Sequence, residues 1–187
     1  MVRAFADQPL DAGTLEALLG LVGRAPSAGG SEGVAFVVLT EAASRAMFWS
    51  HASSAEWRDD GEQAPGLLAA PVLVLVLCDP AAYVARYARN DKVSSPLGGL
   101  AAEQWPVPFW YVDAGMEAMA LLLGAVDLGI GALFFHVRGA RTALLAALGC
   151  PAELILVGAI ALGHVAPTAA HPRAQRRRTA AVHRERF

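Results

Sequence analysis

Arg176, Arg177 and Arg178 form the only basic concentration in this 187-residue chain. Guanidinium forks pair well with oxyanions, but alone the run reads as a solvated tail or a weak nucleic-acid patch. A net charge of -2 lacks the field of a general nucleic-acid binder. The histidines (His51, His136, His164, His171 and His183) keep no metal-ligand spacing, so zinc hydrolysis is not expected. Cys78 and Cys150 stand far apart in apolar surroundings, which is neither a disulfide framework nor a metal knuckle and fits a reducing compartment. No nucleophile-base pair and no catalytic acid stand out. Two features remain. Pro26-Ser27-Ala28-Gly29-Gly30 alone would be a helix-ending turn. Trp105, Phe109, Trp110 and Tyr111 suit a core, a partner contact or a lid over a flat apolar molecule.

The frame that holds these residues is legible in outline. Hydrophobic residues make up 55 % of the chain, so it folds, and its length suits one domain spanning 1–187. Asp11 caps a helix marked by Leu15, Leu18, Leu19 and Val22, closed by the small-residue loop from Pro26 to Gly33. Strands are predicted over 34–39, 72–77, 131–135 and 154–162, and helices over 42–50, from Pro80 through Tyr87, 110–128 and 140–148. Residues 52–65 read as a polar loop, and 90–108 as a long irregular segment of the kind that forms lids or partner contacts. After His164 periodicity is lost. Strands alternating with helices give an α/β or α+β class.

Residues 115–137 are apolar and long enough to span a bilayer. They carry Glu117 and Asp127, follow Asp113 and are broken by Gly124, Gly129 and Gly131. Carboxylates in lipid are costly, so a helix buried inside a dimer is expected rather than a span. The polar opening, with Arg3 and Asp7, starts no signal peptide. No membrane and no nucleic-acid partner are expected, and the setting is read as cytoplasmic.

Several segments, in order, resemble the nitroreductase family: Arg3-Ala4-Phe5 with Pro9-Leu10; Ala25 to Ser31 with Phe36-Val37-Val38; Asp113-Ala114-Gly115-Met116 with Leu121 to Leu123 and Gly129; Gly131 to Phe135; Gly149-Cys150-Pro151 with 157–163; and Arg176 to His183. The resemblance implies an α+β, three-layer fold with a central, mostly antiparallel sheet and helices on both faces. Residues 164–187 would form a domain-swapped C-terminal arm crossing to the partner subunit. It also implies a homodimer with FMN at the interface, NADH or NADPH as electron donor, and a small acceptor such as a nitroaromatic or quinone.

By the same resemblance, Arg176 and Arg177 hold the FMN phosphate, with Arg178 in near register, and Arg3 approaches the polar edge of the ring. Pro26, Ser27, Ala28 and Gly30 form the loop that the partner lays against the flavin. Phe134, Phe135 and His136 form the segment whose backbone faces the ring, with His136 a candidate proton donor. Two departures stand out. Relatives commonly carry an amide side chain where Gly30 stands. Their N-terminal signature also places basic residues and a hydroxyl before Arg3, whereas this chain starts at Met1, so either its start is shortened relative to its relatives or it binds FMN weakly. Two other readings of the same fold are a non-catalytic dimer that binds or stores a ligand, and a deazaflavin-dependent or biosynthetic dehydrogenase.

Overall fold

Residues 72–78 alternate valine with leucine before ending in Cys78, and all seven are buried. Successive side chains of a strand point to opposite faces, so this segment requires apolar cover on both sides. The computed structural model describes residues 2–59, 65–167 and 181–186 and shows how the cover is supplied. Four strands, Val34–Leu39 (β1), Val72–Cys78 (β2), Gly131–Phe135 (β3) and Ile155–Gly163 (β4), form a sheet of order β1-β2-β4-β3. Every pairing is antiparallel. Between Val76 and Leu77 the register with β4 skips Val157, and this bulge sets Leu77 opposite Leu156 in one core.

Helices cover both faces: Ala12–Leu19 (α1), Ala42–Ala52 (α2), Ala55–Asp59 (α3), Pro65–Leu68 (α4), Pro80–Tyr87 (α5), Phe109–Asp127 (α6) and Arg141–Ala147 (α7). On one face Leu73, Leu75 and Leu77 pack with Phe48 and Trp49 of α2 and Leu144 of α7. On the other, Val72, Val74, Val76 and Cys78 meet Leu18 of α1, Tyr83 of α5 and Trp110, Ala114 and Leu121 of α6. The expected α+β, three-layer arrangement is therefore present.

Three local expectations need correction. The first helix stops at Leu19, short of Val22, where Gly20 caps it and turns follow. The stretch read as a polar loop contains α3 and ends where α4 begins, and both helices are too short to display helical periodicity. The helix expected to lie buried inside a dimer, α6, gives part of its small-residue surface to its own chain, and Gly115 opens outward. Ala118 is buried in this chain's own core, and a side chain at Gly124 would collide with Leu21.

The loop between α1 and β1 is anchored by charge. Asp113 and Glu117 of α6 are both buried, and buried carboxylates persist only when bonded. Asp113 accepts from the Ala28 N–H and the Tyr83 hydroxyl, each at 2.8 Å, and Glu117 accepts from the Gly23 N–H at 2.9 Å. Burial, reinforced by Asp113, raises the Tyr83 hydroxyl well above its ordinary pKa, so it stays protonated and donates. From α5, Arg86 Nε donates to the Gly29 carbonyl at 2.8 Å while its fork grips Asp91. Gly29 has φ +64°, and a Cβ there would lie 2.7 Å from the Tyr87 ring, so only glycine fits. α6 is long and apolar enough to cross a membrane by length and composition, yet its inner carboxylates are bonded to this loop.

Replacing the anchor should have a graded cost. Asp113→Ala strands the buried Tyr83 hydroxyl together with a loop N–H, and urea unfolding should show a loss of roughly 2–4 kcal/mol, with Asp113→Asn losing less. Equal stability of the alanine variant and the parent would show that the loop is held by packing instead. The two free thiols should also separate. Burial, with Asp79 adding to it, pushes Cys78 up to about 12, whereas Cys150 is half-buried. A thiol reagent at mild alkaline pH should modify Cys150 in the native protein and reach Cys78 only after denaturation, as mass spectrometry of the two peptides would reveal.

Candidate functional site

The face covered by α2 carries an aromatic slab. Phe135, the last residue of β3, stacks on Trp49 of α2 with ring centroids 5.7 Å apart and planes 8° apart. Trp57 of α3 extends the slab, 5.8 Å from Trp49 at 31°, and Phe48 meets Phe135 edge-on. Phe135, Trp49 and Trp57 wall a cleft of 540 Å³, within the range of small-molecule sites. The Trp49 indole N–H is buried with no hydrogen-bond partner among the described residues.

Beyond β3 the side chains alternate. Val137 is buried in the core, while His136 and Arg138 are exposed and line the cleft. Gly139 passes so close to the His51 carbonyl that no Cβ would fit, and the Ala140 N–H donates to that carbonyl at 2.9 Å. Arg58 of α3 is engaged internally: its Nη1 donates to the carbonyls of Trp49 at 3.0 Å and Ser53 at 2.7 Å, fixing the corner between α2 and α3.

The residues singled out from sequence fall into separate groups. Phe135 and His136 belong to the aromatic cleft. Phe134 points to the opposite core, close enough to Gly158 that a Cβ there would lie 2.6 Å from its ring. Pro26 and Ser27 line a second recess, of 310 Å³, beside Asp113 and Glu117 on the α6 side of the sheet. Ala28 is half-buried against that core and Gly30 is exposed. A single copy therefore does not bring the Pro26–Gly30 loop to Phe135 and His136.

Arg3 is exposed on a segment that runs from the β3 edge to α4. There the Val2 N–H donates to Ala132 O at 3.0 Å and the Phe5 N–H to Gly66 O at 2.8 Å. The C-terminal arm does not leave the body at residue 164. His164 accepts from the Ala6 N–H, Val165 bridges Phe5, and the Ala166 N–H donates to Ala4 O, all within this chain. Arg176 and Arg177, like Arg178, lie outside the described residues.

Sequence reasoning missed Trp49, Trp57 and Arg138. The available signal was a pair of tryptophans flanking Ser53-Ser54 in an otherwise polar stretch. It weighed the 105–111 aromatics instead, as core, partner contact or lid. Trp105 and Trp110 are core residues, set edge-on or tilted against Tyr83, Tyr87 and each other.

Solved structures share this architecture. A nitroreductase family protein from Clostridium difficile 630 aligns with a TM-score of 0.69 at 17% identity, over 100% of this chain and 93% of that one. An FMN-dependent nitroreductase from Clostridium difficile R20291 gives 0.64 at 19%, covering 100% and 94%. A nitroreductase in complex with FMN from Desulfovibrio desulfuricans gives 0.64 at 23%, covering 92% and 84%. At such identities the likeness establishes the fold. No curated protein matches the sequence. The sequence pattern of one family matches residues 1–164, and with that match over most of its length the chain belongs to the nitroreductase family.

Proposed function

We propose that this family member is a homodimeric, FMN-dependent oxidoreductase that passes hydride from NADH or NADPH to a small oxidised acceptor. The observation that carries this reading is the separation of the candidate residues. Phe135 and His136 lie on one side of the sheet, and Pro26 and Ser27 on the other. A second copy would supply the missing loop to each cleft. Support for pairing comes from the outer face of α6, where Val112, Met119, Leu123 and Val126 are exposed in a helical stripe. Apolar surface of this kind gains from being covered.

The residues fit a flavin in shape and chemistry. The 540 Å³ cleft beside the aromatic slab has room for a ring system, with the slab itself left to the acceptor. Arg176 and Arg177, on the arm that would reach the partner, provide guanidinium forks for the phosphate. Arg3 provides a cation for the polar edge of the ring. When bound, FMN supplies two-electron transfer through N5, and the protein's part is binding, orientation and control of access. Pro26, Ser27, Ala28 and Gly30 from the second copy close one side, held rigid by the Asp113 and Arg86 bonds. His136, exposed at the cleft, is placed to hand a proton to a reduced acceptor. The free cysteines suit a reducing, cytoplasmic setting.

The absorption spectrum of the purified protein, with and without added FMN, tests the reading. Bound flavin absorbance that bleaches on addition of NADH or NADPH and returns with a quinone or nitroaromatic is the expected result. A colourless protein that takes up no FMN would overturn it. Each phosphate-directed charge-assisted bond is worth roughly 1.5–3 kcal/mol, so replacing Arg176 and Arg177 together by alanine should weaken FMN affinity by two orders of magnitude or more. Unchanged affinity in a fluorescence titration would place the phosphate elsewhere.

A further inference from the structure

We infer that the aromatic cleft selects planar aromatic acceptors bearing an acidic substituent, with Arg138 as the residue that reads the charge. The ring-binding half of such a site is the slab of Trp57, Trp49 and Phe135, in which Trp57 is only half-buried and lines the cleft. An aromatic ligand laid along it exchanges water for a π surface.

The charge-reading half follows from the alternation after β3. Val137 plugs into the core and turns His136 and Arg138 outward together, into the lining of the same cleft. The two nearby guanidinium groups are not equivalent. Arg58 is tied to the carbonyls of Trp49 and Ser53 and works as a structural brace. Arg138 has no hydrogen bond or ion pair among the described residues, and no described residue lining the cleft is acidic. A cation whose donors meet no partner among the described residues, beside an aromatic wall, recognises a carboxylate or sulfonate on a ring, since an arginine fork donates to both oxygens at once. The inference rests on the flavin reading only in making the bound molecule an electron acceptor. The charge preference itself belongs to the cleft.

Equilibrium binding in the absence of any reductant separates the two. The probes are 4-nitrobenzoate and its neutral counterpart 4-nitrobenzamide, followed by quenching of tryptophan fluorescence in the protein as purified and after FMN is added. The parent should bind the benzoate roughly two- to five-fold more tightly, an exposed charge-assisted pair being worth about that factor. Arg138→Gln should bring the ratio of the two dissociation constants close to one. Arg141→Gln, which removes the same charge from an exposed neighbouring position, should keep the parent's ratio. A parent that does not distinguish the two probes, or an Arg141→Gln ratio that falls as far as that of Arg138→Gln, would overturn the inference. A preference that survives in protein taking up no FMN would uphold the cleft's selectivity while removing the flavin reading.

Discussion

Burial of β2 on both faces is the constraint from which the rest of the structure follows. A strand of alternating valine and leucine leaves no solvent side, so helices must lie above and below it. The leucine side takes α2 and α7, and the valine side takes α1, α5 and α6. Two cores then share one sheet, and anything attached to one face is screened from the other by the sheet itself. The cleft around Phe135 and the recess around Pro26 inherit that separation.

The separation gives the two faces different work. On the α2 side, aromatic residues at the end of β3 and along α2 and α3 form a preformed apolar wall with His136 and Arg138 at its rim. On the α6 side, buried carboxylates hold a glycine-rich loop to a helix whose outer surface is still apolar. Asp113 and Glu117 matter because they fix backbone, not because they face a ligand: their partners are N–H groups of Ala28 and Gly23 and the hydroxyl of Tyr83. A loop fixed in this way would lose little entropy if a second copy were to cover it.

The legibility of this arrangement in the sequence varied with the range of the interaction. β2 and α6 were visible because their apolar patterns are long and local. The Asp11 cap was visible because its partner, Thr14, lies three residues away. The roles of Asp113 and Glu117 were hidden, because their loop partners are backbone groups 85 and 94 positions distant that leave no mark on residue type. α3 and α4 were hidden by their brevity. The cleft was half-read: Phe135 and His136 came from motif order, whereas Trp49 and Trp57 join them only when α2 folds back over β3. Nothing in the spacing of Arg58 and Arg138 distinguishes a brace from a cation with no partner among the described residues. That difference appears only once the α2–α3 corner is built.

The central claim is that the flavin site requires two copies of the chain. Sedimentation equilibrium of the FMN-treated protein, recorded at the visible absorbance of the flavin rather than at that of the protein, tests it most directly. The account predicts that flavin absorbance distributes with the mass of a dimer and is absent from any monomer present. Flavin absorbance distributing with the mass of a single chain would contradict it.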